Sequence, residues 1–96
     1  MSPSGESAQK HSRRLVIVNE RGLHARAAAK FVSVLSGFEA EVVVEKDDVR
    51  VSGRSIMGLM MLAAAPGTTI EVEAEGSDAV QALDALVLLV ENRFDE

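Results

Sequence analysis

The sequence predicts an α+β sandwich in which one four-stranded antiparallel sheet is covered on one face by three helices. Three observations support this fold class. A chain of 96 residues is long enough for one domain and too short for two. The spacing of its apolar residues predicts strands and helices in the order β-α-β-β-α-β-α. The predicted strands alternate apolar with polar residues, as in a sheet with one buried face. We therefore expect the other sheet face to be solvent-exposed and acidic.

The first strand is predicted at residues 15–18, where Leu, Val, Ile and Val form a short, mostly β-branched run. The polar residues 1–12 are expected to form a flexible tail, because they cannot bury enough apolar surface to become ordered. His11 lies in this tail and is expected to be solvated and without a role. The folded domain is therefore expected to occupy residues 13–96.

The first helix is predicted to begin near Ala25, because apolar residues recur there at helical spacing. These residues are Ala28, Phe31, Val32 and Leu35. Gly37 is expected to end the helix in a left-handed cap. Residues 40–46 and 49–52 then nearly alternate on either side of the polar pair 47–48, which predicts a β-hairpin.

The second half of the chain supplies the remaining three elements. Residues 55–62, SIMGLMML, are almost wholly apolar and predict a short helix that is capped by Ser55. Residues 69–75 alternate strictly and predict the last strand. The last helix is predicted to begin near residues 77–78. Its core-facing residues are expected to be Val80, Leu83, Val87 and Val90.

Composition argues against several classes of function. The formal net charge of −5 disfavours a general nucleic-acid binder, and three Phe without Trp or Tyr offer no platform on which bases could stack. The absence of cysteine excludes disulfides and thiolate chemistry and fits a reducing compartment. No apolar stretch approaches the ~20 residues of a transmembrane helix, and the start of the chain does not look like a signal peptide. We therefore expect a cytoplasmic protein without membrane insertion.

His24 is the residue that most suggests chemistry. A helix that begins near Ala25 points its unpaired backbone N–H groups, and the positive end of its dipole, at any group attached to His24. Arg26 adds donors that suit phosphate oxygens, and Gly22 allows a tight turn into this position. A neutral imidazole nitrogen in front of such an anion site is a phosphoryl acceptor, whereas a solvated surface histidine is the ordinary alternative. A metal site is not supported, because no second His or Cys lies nearby in sequence.

Two motifs carry a family resemblance: GLHARAAAKFV at residues 22–32 and SGRSIMGLMMLAA at residues 52–64. They resemble the histidine-containing phosphocarrier (HPr) family of the bacterial phosphoenolpyruvate-dependent phosphotransferase system. The resemblance extends from about residue 14 to residue 94 and implies an HPr-like open-faced β-sandwich. HARAAAKFV within the first motif, and NRF at residues 92–94, are similar to the nitrogen-related branch of the family, called NPr.

The resemblance implies a phosphoryl carrier and not an enzyme, with no cofactor. His24 would be phosphorylated on Nδ1 by phosphorylated enzyme I, with phosphoenolpyruvate as the source, and would pass the group to an enzyme IIA of the nitrogen-related system. Arg26 matches the family arginine that stabilises the phosphate. Two positions differ from the sugar-type pattern: Ala27 replaces the usual proline and adds a backbone donor, and Arg21 replaces a frequent asparagine.

Ser55 matches the serine that an ATP-dependent HPr kinase phosphorylates in many family members, and on the residues alone it is a helix N-cap. The resemblance also places a docking patch for partner proteins beside the active histidine. We expect this docking patch to comprise Arg21, Ala25, Ile56, Met57 and Met60. Methionine side chains suit a surface that must fit several partners in turn. Leu59 and Leu62 are expected to belong to the core.

Three alternatives to a nitrogen-type carrier remain open. The first is a general sugar-uptake phosphocarrier, and the second is a regulatory docking protein that is controlled by phosphorylation of Ser55. The third is a small α+β interaction or RNA-binding domain in which His24 is incidental, which the acidic composition and few aromatic residues disfavour. The expected partners are enzyme I, an enzyme IIA and, for Ser55, an HPr kinase, with no nucleic acid. A monomer is expected, because a carrier must present one face to successive partners.

Overall fold

Within residues 9–96, the computed structural model contains a four-stranded sheet, three α-helices and one short 3-10 helix. The strands are β1 (Lys10–Val16), β2 (Glu41–Lys46), β3 (Val49–Ser52) and β4 (Thr69–Glu75). The α-helices are α1 (Ala25–Leu35), α2 (Ile56–Met61) and α3 (Ala79–Glu91), and the 3-10 helix is Arg93–Asp95. The sheet order is β1-β4-β2-β3, with every neighbouring pair antiparallel. The predicted α+β sandwich is confirmed.

The helices bury one face of the sheet. Strand β4 alternates as its sequence predicts, with Ile70, Val72 and Ala74 at no more than 1% exposure. In the neighbouring strand β2, Val42 and Val44 lie opposite Ala74 and Val72. The largest fully buried apolar side chains are Phe31, Ile17, Leu35, Leu59, Ile70, Leu83, Leu86, Val44 and Val72. The core is therefore aliphatic apart from Phe31 and the buried Phe94.

The opposite sheet face is open and carries charges of both signs. Glu71 and Glu73 lie on this face, as predicted. Arg50 of β3 contacts the carboxylates of Glu45 and Glu73 at 3.0 Å each, and Arg14 lies 3.7 Å from Glu71. The hydrogen bond from Arg50 holds the pKa of Glu73 below its ordinary value. The face that the sequence predicts to be acidic is therefore partly neutralised by cross-strand ion pairs.

Strand β1 begins earlier than its sequence predicts. Residues 10–12 belong to the strand, although the sequence predicts a tail over residues 1–12; the first eight positions of that tail lie outside the described residues. His11, predicted to be solvated, is half-buried and pairs with Ala74. The strand ends at Val16, two residues before the predicted end. Pairing with β4 orders a polar segment whose composition alone does not predict a strand, because β-structure depends on its neighbours.

Helix α1 ends without the predicted left-handed glycine. Gly37 does not adopt a positive φ. Instead, the N–H groups of Gly37 and Phe38 donate to the carbonyls of Val34 and Leu35 at 3.3 and 3.1 Å, which tightens the last turn. The Arg54 guanidinium then closes this end of the helix by donating to the Leu35 and Phe38 carbonyls, each at 3.0 Å.

Helix α3 buries a different stripe from the predicted one. Leu83 and Val90 are buried as predicted, but Val80 is 39% exposed and Val87 is only partly buried. The remaining buried residues of the helix are Ala79, Ala82, Leu86 and Leu89. The helix is apolar over most of its circumference, so contacts with β1 and β4 decide which side faces the core.

Candidate functional site

His24 is the N-cap of helix α1, where its backbone is extended, with φ −80° and ψ −177°. Its side chain is 26% exposed and makes no capping hydrogen bond. The first backbone hydrogen bond of the helix runs from the Ala28 N–H to the His24 carbonyl at 2.8 Å. The N–H groups of Ala25, Arg26 and Ala27 therefore have no intrahelical acceptor. Free N–H groups at a helix start are suited to bind an anion, and here they directly follow the imidazole.

A tight turn positions this histidine. Gly22 has φ +67°, and a Cβ on it would lie 2.6 Å from the carbonyl oxygen of Ala64. The same oxygen accepts a hydrogen bond from the Leu23 N–H at 2.9 Å. Only glycine tolerates both the left-handed backbone and this close approach. The loop before His24 is thereby joined to the segment that follows helix α2.

Helices α1 and α2 pack against each other. Near the start of α2, a Cβ on Gly53 would lie 3.2 Å from Leu35 at the end of α1. The segment after α2 contacts the loop before His24, as described above. Ser55 therefore lies at the far end of α2 from His24. Its Oγ accepts a hydrogen bond from the Gly58 N–H at 2.9 Å, which confirms the predicted N-cap.

Helix α2 has a core side and an exposed side. Leu59 and Leu62 are buried, as predicted. The exposed apolar side chains are Ile56 at 40%, Met57 at 75%, Met60 at 44% and Met61 at 72%. Three of these four belong to the predicted docking patch, and Met61 is exposed as well.

The charged side chains around the helix start are exposed. Within residues 9–96, neither Arg21 nor Arg26 forms an ion pair, whereas Lys30 lies 3.5 Å from Asp95. Ala25, also predicted for the docking patch, is exposed. Among residues 9–96, the two guanidinium groups nearest in sequence to the start of α1 are therefore not paired with a carboxylate.

Sequence reasoning missed Glu96, which organises the loop before the histidine. Its carboxylate accepts hydrogen bonds from the backbone N–H groups of Glu20 at 2.6 Å and Arg21 at 3.2 Å. The buried Asn19 side chain also donates to it at 3.3 Å, and its Oε2 lies 3.6 Å from Nε2 of His24. Burial alone would raise the pKa of Glu96, but these hydrogen bonds and the His24 charge hold the pKa below its ordinary value. No local pattern marks this residue, because its partners are remote in sequence.

The site lies at the protein surface: the His24 side chain is 26% exposed, and Ala25 and Arg26 are exposed. A cavity of about 140 Å³ lies on the open sheet face beside Lys10, Glu41 and Arg50, and His24 does not line it. A histidine at such a surface is accessible to a side chain of another protein. A small substrate, by contrast, is usually bound in a concave pocket. Among the helices of residues 9–96, none is long and apolar enough to cross a lipid bilayer.

Comparison with known proteins agrees with this geometry. The family model described as "PTS HPr component phosphorylation site" matches residues 11–92. Phosphocarrier protein HPr of Neisseria meningitidis serogroup A is 55% identical over 80 residues, covering 83% of this chain and 90% of that protein. Phosphocarrier protein NPr of Shewanella violacea is 42% identical over 87 residues, covering 91% and 96%.

Two solved structures of HPr from Thermoanaerobacter tengcongensis share the fold. One has a TM-score of 0.85 and 43% identity, covering 90% of this chain and 97% of that one. The other, described as an HPr dimer, has a TM-score of 0.72 and 45% identity, covering 85% and 94%. These matches disfavour the alternative of an RNA-binding domain with an incidental histidine. The chain belongs to the HPr family, the phosphocarrier proteins of the bacterial phosphotransferase system.

Proposed function

We propose that Nδ1 of His24 accepts a phosphoryl group from phosphorylated enzyme I, with phosphoenolpyruvate as the original donor, and passes it to a histidine of an enzyme IIA. The observation that carries this proposal is the placement of His24. Its partly exposed ring stands at the start of α1, before three free N–H groups, with exposed Arg26 two residues further on. The start of α1 and the guanidinium of Arg26 together favour a dianionic group at this position.

The proposed transfer involves one nucleophile and the groups that hold the phosphoryl oxygens. The bond between phosphorus and enzyme I breaks as the bond to Nδ1 forms, in line and through a loose, metaphosphate-like transition state. The N–H groups of Ala25, Arg26 and Ala27 and the Arg26 guanidinium hold the equatorial oxygens, and Arg21 offers a second cation. In the second transfer the Nδ1–phosphorus bond breaks as a bond forms between phosphorus and the histidine nitrogen of the enzyme IIA. The carrier returns to its starting state, so it acts as a substrate of its partners and not as an enzyme.

We assign the carrier to the nitrogen-related branch, with sugar uptake as the alternative. The similarity of HARAAAKFV and NRF to NPr proteins supports this assignment, as does the match to the Shewanella NPr. The higher identity to the Neisseria HPr supports the alternative. A cytoplasmic monomer suits either branch, and sedimentation of the purified protein would show whether it instead forms a dimer.

Partner proteins would dock on the exposed side of α2 beside the histidine. The docking patch combines apolar Ile56, Met57 and Met60 with the unpaired charge of Arg21. Adaptable methionines and a positive rim suit brief, electrostatically steered encounters with acidic surfaces. A carrier requires such encounters, because tight binding would stall the transfer.

Ser55 would regulate docking if an HPr kinase phosphorylates it. The phosphate adds about −1.5 to −2 charges at neutral pH and sits at a helix start, where a negative charge is tolerated. Since Ser55 lies at the far end of α2 from His24, the charge would act on the partner surface and not on the histidine. Regulation through Ser55 alone, with His24 as an input signal, is the second candidate function.

Phosphorylation with labelled phosphoenolpyruvate, enzyme I and Mg²⁺ tests the main proposal. Wild type and His11→Ala are expected to take up acid-labile label, whereas His24→Ala takes up none. His11→Ala is the matched control, because His11 is the other histidine of the chain and lies in β1. Label that persists in His24→Ala would refute the assignment of the acceptor.

A second comparison assigns the branch. The same reaction is run with a sugar-type and with a nitrogen-type enzyme I, each followed by its own enzyme IIA. Faster transfer through the nitrogen-type pair is expected. Faster transfer through the sugar-type pair would assign the protein to sugar uptake. Label from neither would leave docking controlled by Ser55 as the function.

A further inference from the structure

We infer that Glu96 is a positioning residue that selects the tautomer of His24, so that the ring proton stays on Nε2 and the lone pair of Nδ1 remains free for the phosphoryl group. This inference rests on the proposed function. A neutral imidazole has one N–H donor and one acceptor nitrogen, and the group that faces one nitrogen decides which is which. Oε2 of Glu96 faces Nε2 of His24 at 3.6 Å.

The carboxylate of Glu96 can only accept. Its oxygens already receive the N–H groups of Glu20 and Arg21 and the side-chain amide of Asn19, all of which stabilise its ionised form. An ionised carboxylate offers no proton, so it favours an N–H on the nitrogen that it faces. The separation exceeds that of a hydrogen bond; a ring movement of roughly 0.5 Å would bring the two atoms to hydrogen-bonding distance.

The other side of the ring is left free. A residue at a helix N-cap commonly uses its side chain to accept an N–H of the first turn. His24 makes no such bond. With the proton held on Nε2 and no capping bond to the helix, the lone pair of Nδ1 remains available for the phosphoryl group.

Glu96 is held in place more firmly than its neighbour. Asp95 carries the same charge one residue earlier, but its side chain is 65% exposed and contacts Lys30 at 3.5 Å. The Glu96 side chain is 24% exposed and contacts the histidine loop at three donors besides His24. Asp95→Asn is therefore a control with the same change of charge and without the contact to the ring.

The test measures the tautomer directly, by the two ring ¹⁵N chemical shifts of His24 in the unphosphorylated protein, at a pH where the ring is neutral. Wild type and Asp95→Asn are expected to hold the proton mainly on Nε2. In Glu96→Gln the neutral amide keeps only one acceptor oxygen, for which the N–H donors of Asn19 and Arg21 compete with Nε2, so the proton on Nε2 should be less strongly favoured. Glu96→Ala leaves only the intrinsic preference of a neutral imidazole for the proton on Nε2, which should be weaker than the preference in wild type. Backbone amide shifts of Glu20 and Arg21 show whether the loop keeps its conformation in each variant.

The rate of phosphorylation by enzyme I is then compared with the tautomer population. Because only the tautomer with a free Nδ1 reacts, the rate in Glu96→Gln is expected to fall by the same factor as that population. Identical tautomer populations in wild type and both Glu96 variants would overturn the inference, even if phosphorylation slowed, because the residue would then be merely structural. Wild type that takes up no label would refute the proposed function instead, and the tautomer shifts would still decide the inference.

Discussion

Gly22 packs directly against the carbonyl oxygen of Ala64. The contact is so close that a Cβ on Gly22 would lie 2.6 Å from that oxygen, and the next residue, Leu23, donates its N–H to the same atom at 2.9 Å. This contact joins the loop that carries His24 to the segment after α2. Helix α2 itself presents the exposed methionines. The relative position of His24 and the exposed methionines of α2 therefore depends on the absence of a side chain at residue 22.

Replacing this glycine should destabilise the protein strongly. In Gly22→Ala the new methyl group meets a backbone oxygen while φ stays at +67°, so we expect the free energy of unfolding to fall by more than about 2 kcal/mol. Urea denaturation measures this. Gly67→Ala is the matched control, because Gly67 has φ +87° with nothing within 4 Å of the added Cβ. The control should lose only about 1 kcal/mol, and equal losses in the two variants would contradict the steric argument.

Arg54 should stabilise the end of α1 in a way that lysine cannot replace. Its guanidinium donates to the carbonyls of Leu35, Phe38 and Ala40 at 2.9 to 3.0 Å. A lysine ammonium lacks this planar fork, so Arg54→Lys is expected to lose about 1–3 kcal/mol of stability in urea denaturation. Arg14→Lys, at an exposed ion pair of 3.7 Å, should change stability by less than about 0.5 kcal/mol. A similar loss at both positions would show that the carbonyl contacts contribute little.

Glu96 should make stability sensitive to acid. The pKa of its carboxyl group is lower in the folded protein than its ordinary value of 4.5, so the carboxylate stabilises the fold above that value. This contribution is lost as the pH falls through the folded pKa. Wild type should therefore exceed Glu96→Gln in stability most clearly near neutral pH, and the difference should shrink in acid. Denaturation of both proteins across the acid range tests this, and a difference that is constant with pH would contradict it.

Ala63 should be a site where glycine stabilises the protein. It follows the C-cap of α2 with φ +51°, a left-handed conformation that alanine adopts at a cost. We expect Ala63→Gly to raise the free energy of unfolding by about 1 kcal/mol. Ala65→Gly, at a position without a positive φ, should instead lower stability by about 0.5–1 kcal/mol through the entropy of the unfolded chain. A loss of stability at both positions would disprove the strain at Ala63.

Two substitutions at Ser55 should distinguish its role as a helix cap from its proposed role in regulation. Ser55→Ala removes the acceptor for the Gly58 N–H and is expected to cost about 1 kcal/mol. Ser55→Asp keeps an acceptor and adds a charge that suits a helix start, so its stability should stay near that of wild type. Phosphorylation of His24 by enzyme I should nevertheless slow in Ser55→Asp alone. Equal slowing in both variants would point to the cap and not to the charge.

The sequence by itself determined the element order, the fold class and the position of His24 at the start of a helix. The strict alternation of residues 69–75 predicts the bounds of β4, and the apolar run at 55–62 predicts α2 with its cap. Both signals are local, since a strand or helix needs one covered face whatever covers it. The arrangement that the proposed anion site would use is local as well, because His24 and the first N–H groups of α1 are adjacent in the chain.

Only the tertiary structure decided which of several possible neighbours each segment meets. The polar residues 10–12 become a strand because β4 pairs with them, and α3 turns Val80 outward because β1 and β4 select another stripe. Glu96 reaches the histidine loop, and Arg54 reaches the end of α1, through contacts between residues far apart in the chain. Local composition states what a residue can bind but not which partner the fold brings to it, and for this reason the surroundings of His24 could not be predicted beyond the helix that carries it.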